Sequence, residues 1–239
     1  MQQQIQEQVG AELIRGEINT KTPGKKPNFV YLHGSAKTNG FDFPLVQNLV
    51  QRDISVLTFN FSGTGRSSGS FEQSTIKKRV EEATAIISKY ADLANLTLCG
   101  TTMGAHLAIK MIDSFRVKSL VLFSPAIYDA RAFDVPFDNR FQEIIQAYRS
   151  WNNSDALESL RRFRGQLLMI LGDSDDVIPV GVMELIDKSA HSTSRKEAVF
   201  LPNCDHKIFP WLKDHPKETE AVADRIAEYV KAAELSQIA

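Results

Sequence analysis

Between Cys99 and Gly104 the chain reads CGTTMG, which fits the turn G-x-S-x-G except that Thr102 stands where that turn carries a nucleophilic serine. A hydroxyl on such a turn attacks a carbonyl carbon once a neighbouring base takes its proton and an acid orients the base. Threonine has the same intrinsic chemistry. Its γ-methyl, however, stiffens χ1 and fills space beside the attack path, and a misplacement of ~1 Å lowers a rate on the order of a hundredfold. Downstream lie Gly172-Asp173-Ser174-Asp175-Asp176 and then Asn203-Cys204-Asp205-His206, so nucleophile, acid and histidine follow in chain order.

The elements around these residues explain how they meet. Short β-rich apolar runs at Asn28 to Leu32, Ile54 to Asn60, Leu96 to Cys99, Ser119 to Phe123, Leu167 to Leu171 and Ala198 to Leu201 alternate with segments of helical period. That alternation predicts β-α-β units, a mainly parallel sheet and an α/β fold, with Glu12 to Asn19 as an antiparallel edge strand. Leu45, Val46, Leu49 and Val50 predict one helix, and Val80, Ala83, Ile86, Ile87 and Tyr90 another. A last helix is expected over Lys217 to Leu235, burying Ala221, Ala223, Ile226 and Val230. In an open parallel sheet ligands collect at the carboxyl ends of the strands, which is where each suggestive loop falls. The stretch from Ser124 to Gly165 is about forty residues long, too long for a bare connection. It is expected to hold a small helical lid, about 124–165, with Asp155 and Glu158 as a capping box and Phe141, Ile144, Ile145 and Tyr148 as a stripe. The whole chain, 1–239, reads as one domain.

Five stretches in this order, HGS at 33–35, NFSGTGRSSG at 60–69, GTTMGAHLA at 100–108, GDSDDVIP at 172–179 and DH at 205–206, resemble the α/β-hydrolase family. The resemblance runs from about Asn28 to the end of the chain. It implies a mainly parallel sheet flanked by helices, with a strand-turn-helix elbow that exposes the nucleophile at Thr102. It implies His206 as the base, in a loop after the last strand. The family spacing G-x-x-D-x-x-x-P selects Asp175 as the acid over Asp173 and Asp176, and the backbone N–H groups of Met103 and Ser35 become the two halves of an oxyanion hole. His33 is expected to hold the oxyanion turn through hydrogen bonds. The loop matched at Gly63, Gly65 and Ser67 is expected beside the pocket. The activity implied is hydrolysis of a carboxylic ester or thioester. Acyl transfer or cyclisation, and a non-hydrolytic or ligand-binding member of the fold, stay open because of the Thr102 methyl.

Bulk properties narrow the partners. A formal charge of -1 gives no field to gather nucleic acid or anionic lipid, and the basic cluster of Arg161, Arg162 and Arg164 reads as a solvated helix end. The longest apolar runs stop short of a membrane span. Two cysteines outside any C-x-x-C spacing and an N-terminus without a leader pattern point to a cytoplasmic setting, with no metal and no cofactor expected. A nucleotide site at Gly63 and Gly65 lacks its third glycine, since Ser68 stands there, and lacks a Walker lysine. The expected partner is a small acyl substrate. Tyr128, Phe133, Phe137, Phe141, Tyr148 and Trp151 in the lid segment suit a partly apolar group or anchor the lid, and Arg131 and Arg140 either reach an acidic group or face solvent.

Overall fold

Strands whose two faces are both covered read as continuous apolar runs, and the computed structural model shows what covers each face. It describes residues 1–35 and 44–235. Among these, eight strands form one sheet: β1 (Gln2–Val9), β2 (Glu12–Asn19), β3 (Phe29–Leu32), β4 (Val56–Asn60), β5 (Thr97–Thr101), β6 (Ser119–Phe123), β7 (Gln166–Gly172) and β8 (Arg195–Leu201). Their spatial order is β1-β2-β4-β3-β5-β6-β7-β8, parallel from β4 to β8, with β1 and β2 antiparallel at one edge. The helices are α1 (Pro44–Gln51), α2 (Ile76–Tyr90), α3 (Met103–Lys110), α4 (Asn139–Gln146), α5 (Ala156–Arg162), α6 (Val180–Ser189), α7 (Ile208–Asp214) and α8 (Pro216–Leu235).

Side chains alternate across each strand, so successive residues enter different cores. Val30 and Leu32, Leu120 and Leu122, and Leu167 and Met169 pack in one apolar cluster with α2, α3, α5 and α6. Phe29 and Tyr31, Val121 and Phe123, and Leu168 and Ile170 pack in the other with α1, α7 and α8. Registers such as Leu32 opposite Gly100 and Thr101 opposite Phe123 bring the ends of β3, β5 and β6 level, so their following loops open on one side of the sheet.

Several expectations need correction. The edge strand is β1, not β2, and β1 escapes detection because Ile5 is its one buried residue in a run of glutamines and other polar side chains. In α8 Ala221 is exposed and Val222 is buried instead, because the helix presents 222, 223, 226, 229 and 230 to the sheet. Asp155 does not cap α5 with its side chain: its backbone is helical (φ -73, ψ -20), and its carboxylate pairs with Lys110 Nζ at 2.8 Å. In α4 Phe141 is buried and Ile144 and Ile145 half-buried, but the helix stops at Gln146 and Tyr148 stands 91% exposed beyond it. The segment between β6 and β7 holds α4, α5 and two short 3-10 turns, Ala130–Ala132 and Ser150–Asn153. No helix among the described residues is long and apolar enough to cross a membrane.

Candidate active site

Thr102 is the single residue between the last residue of β5 and the first of α3, so the chain must reverse there within one residue. Its backbone takes φ 50 and ψ -108, a positive φ that L residues rarely adopt, and a rarer one for a β-branched side chain. The turn is anchored on both sides: Thr102 N–H donates to Phe123 O at 3.1 Å, and Thr102 O accepts from Ala126 N at 3.2 Å. The two motif glycines allow strand and helix to touch. A β-carbon on Gly100 would lie 2.2 Å from Gly104 O, and one on Gly104 would lie 1.9 Å from Leu32 O, so neither position admits a side chain.

The elbow turns the Thr102 hydroxyl toward the loop after β8. Thr102 Oγ1 lies 3.1 Å from His206 Nε2, and His206 Nδ1 lies 2.9 Å from Asp175 Oδ2. The carboxylate accepts at Nδ1, so Nδ1 carries the proton and the Nε2 lone pair faces the hydroxyl. Asp175 Oδ1 is fixed in turn by the N–H groups of Val177 at 2.9 Å and Ile178 at 3.0 Å. Burial pushes the Asp175 carboxyl up, but the Ile178 N–H, the His206 ring and the Val177 N–H outweigh it, leaving it below its ordinary value. Its side chain is 4% exposed and that of His206 22%, so the acid is withdrawn while the imidazole meets the pocket. Of the competing aspartates, Asp173 is exposed and bonded to Ser174 Oγ at 2.9 Å, and Asp176 is exposed.

Met103 opens α3, where an N–H has no intrahelical partner, and it lines the same cavity as Ser35, Thr102 and His206. His33 is buried and neutral, held at about 3 by burial and by the nearby Arg79 charge. Its Nε2 accepts from Phe61 N–H at 3.1 Å, so its Nδ1 donates to Gly34 O at 2.8 Å. The loop of Gly63, Gly65 and Ser67 packs beside the cavity without lining it: a β-carbon on Gly63 would lie 2.0 Å from the backbone of Phe71, a residue that lines the cavity. Ser67 Oγ donates to Asn60 O at 2.6 Å and accepts from Arg15 N at 2.9 Å, tying β4 to β2, and no residue from Ser62 to Ser67 lines the cavity.

The cavity has a volume of about 640 Å³ and is mostly apolar. Tyr128, Phe137, Phe141 and Trp151 line it, while Phe133 lies under Lys110 Nζ. Phe71, Ile178 and Val182 also line it and escaped the sequence reading, because nothing in their spacing distinguishes a pocket wall from ordinary core. Arg131 and Arg140 are spent on Asp129 and Asp138, at 2.8 and 2.7 Å, and stand 67% and 69% exposed. Among the described residues no group of three or more His, Cys, Asp or Glu is arranged to hold a metal ion.

A mainly parallel sheet wrapped by helices, with a hydroxyl on a strand-turn-helix elbow, is the α/β-hydrolase fold. The sequence profile of the serine aminopeptidase S33 family matches residues 24–154, just over half of the chain, and the protein belongs to that family. Rv2307c of Mycobacterium tuberculosis, described as an uncharacterized protein, is 24% identical over 187 residues, covering 77% of this chain and 64% of that one. The chain spans less than two thirds of the length of the curated relatives it matches. Among solved structures, the Pyrococcus furiosus esterase Pf2001 superposes with TM-score 0.73 at 19% identity, covering 97% of this chain and 91% of that one. Est1E from Butyrivibrio proteoclasticus, solved with ferulic acid bound, gives 0.68 at 17% identity, covering 95% and 99%.

Proposed function

We propose that this protein hydrolyses a carboxylic ester or thioester with a partly apolar acyl group, using Thr102 as nucleophile, His206 as base and Asp175 as the orienting acid. The observation that carries the reading is the unbroken relay from Thr102 Oγ1 to His206 Nε2 (3.1 Å) and from His206 Nδ1 to Asp175 Oδ2 (2.9 Å). In the first half-reaction Oγ1 attacks the substrate carbonyl carbon and its proton passes to Nε2; the tetrahedral oxyanion then collapses, and the leaving alkoxide or thiolate takes that proton. In the second, Nε2 draws a proton from water, the hydroxide attacks the threonyl ester, and Oγ1 recovers the proton as the acid leaves. The N–H groups of Met103 and Ser35 receive the oxyanion in both halves. The segment 124–165 acts as a lid whose Tyr128, Phe137, Phe141 and Trp151 form the apolar wall against the acyl chain. The Thr102 hydroxyl already lies within hydrogen-bond reach of the imidazole, which supports a working nucleophile over a spent one.

Intact-protein mass spectrometry after a fluorophosphonate and after p-nitrophenyl butyrate tests the reading. The parent gains one adduct, Thr102→Ala and His206→Ala gain none, and Thr102→Ser labels roughly ten- to a hundredfold faster because the methyl no longer crowds the attack path. Labelling of Thr102→Ala at the parent rate would refute the nucleophile, and a parent that stays unlabelled beside a reactive Thr102→Ser would refute covalent chemistry on threonine.

A further inference from the structure

A fully buried arginine lies behind the oxyanion turn. Arg79, on α2, is 0% exposed, and its guanidinium sits over the rings of Phe61, Phe71 and Phe137 at 5.0, 5.3 and 4.9 Å. Burial lowers its pKa to about 10, so it is a cation at neutral pH. Isolated buried charge is costly, and such a cation ordinarily sits on a carboxylate. Among the described residues no carboxylate lies within ion-pair distance of it: the nearby Glu82, whose charge raises the Arg79 pKa, accepts from Ser62 N–H at 3.0 Å, and Arg79 Nε and Nη2 have no hydrogen-bond partner.

What the guanidinium does touch is specific. Nη1 donates to Gly34 O at 3.1 Å and lies 3.4 Å from Met103 Sδ. Gly34 O also accepts from His33 Nδ1 at 2.8 Å, so two donors hold one carbonyl. In a planar trans peptide the C=O and the next N–H point in opposite directions. A Gly34 carbonyl held toward Arg79 and His33 therefore turns the Ser35 N–H away from them, and Ser35 lines the cavity with Thr102, Met103 and His206. Two donors on that carbonyl also polarise the peptide and strengthen its N–H as a donor.

We infer that Arg79 is a positioning residue of the oxyanion hole: from behind the Gly34–Ser35 peptide it fixes and polarises the Ser35 N–H, and it adds a buried positive charge on the side where the oxyanion forms. The kinetic consequence rests on the acyl chemistry proposed for Thr102; the structural consequence at Ser35 does not. A preorganised donor acts on the charge that develops in the transition state, so its loss lowers kcat and kcat/KM together and leaves KM in place. Losing an oxyanion donor outright lowers kcat on the order of a hundred- to a thousandfold, and a donor merely released from its anchor should lose about ten- to a hundredfold.

The test compares the full chain with Arg79→Met, Arg79→Lys and Thr102→Ala, reading p-nitrophenyl butyrate kinetics and the amide ¹⁵N shift of Ser35. In Arg79→Met the expected result is a ten- to hundredfold fall in kcat, KM within about twofold, and an upfield move of the Ser35 nitrogen as its preceding carbonyl loses a donor. Arg79→Lys, which keeps the charge but not the planar fork, should restore part of kcat; it also carries both readings if Arg79→Met does not fold. An unmoved Ser35 resonance overturns the proposal, whatever happens to kcat. If the parent fails to turn over the ester, or Thr102→Ala matches it, the acyl reading of Thr102 falls, and the Ser35 resonance alone decides the anchor: moved, it supports Arg79; unmoved, it overturns it.

Discussion

At an ordinary position alanine is more stabilising than glycine by about 0.5–1 kcal/mol, because glycine has more backbone freedom to lose on folding. Position 102 should reverse that sign. With φ 50 and ψ -108, any residue with a β-carbon is held in a sparsely populated backbone region, at a cost of about 1–3 kcal/mol. Thr102→Ala and Thr102→Gly both lose the hydroxyl bonded to His206 and the γ-methyl, so those losses cancel when the two variants are compared. What remains is relief of strain by glycine less its extra entropy, a net advantage for Thr102→Gly of about 1 kcal/mol. For a domain of this size that is roughly 2–4 °C in Tm. Thermal unfolding of the two purified variants measures it, with mass spectrometry confirming that neither is acylated. A Thr102→Ala protein that melts at or above Thr102→Gly would show that the elbow stores no strain at this residue and would remove the conformational reason for the hydroxyl's direction.

Two other expectations follow from the charged groups. Asp175→Asn presents an amide hydrogen where His206 Nδ1 needs an acceptor, so the ring takes the other tautomer and turns an N–H toward Thr102; acylation should fall by about 10³–10⁴ with little change in KM, and labelling within tenfold of the parent would refute the relay. Asp129, 2% exposed, accepts from Arg131 and from Asn153 Nδ2 at 3.2 Å and so ties the two 3-10 turns of the 124–165 segment; the Arg131 guanidinium holds it at about 2. Against an unfolded value near 3.9 that depression is worth up to ~2.6 kcal/mol, discounted to about 1 kcal/mol because Arg131 is 67% exposed and screened by water. A depressed carboxyl contributes its stability above its unfolded pKa and loses it as pH falls through the folded one. Asp129→Asn should therefore be less stable by that amount at pH 7, with the gap closing between about pH 4 and pH 2; a gap unchanged at pH 2 in urea titrations would rule out charge as its source.

The inner parallel strands, β3 to β7, were legible because each is buried on both faces and reads as a largely apolar run, whereas β8, with alternate residues exposed, showed only its apolar end from Ala198. β1 was not legible, since a strand paired on one edge with one buried side chain leaves no periodic signal. Both His206, in the loop after the last strand, and Asp175 over Asp173 leaned on the family resemblance, and what sets Asp175 apart lies in the backbone: the N–H groups of Val177 and Ile178 turn one carboxylate toward the histidine. Arg79 shows a different limit. In the run Lys77-Lys78-Arg79 it looks like part of a solvated basic face, yet it falls three residues after Ile76 and four before Ala83, on the stripe that α2 buries. Its position in the helical period thus contradicts its charge. A cation on an apolar stripe must find acceptors inside the fold, and here the acceptor is the carbonyl of the turn facing Thr102. Periodicity could flag that conflict, but which carbonyl resolves it depends on the packing of α2 beneath the loop after β3, which no spacing within α2 encodes.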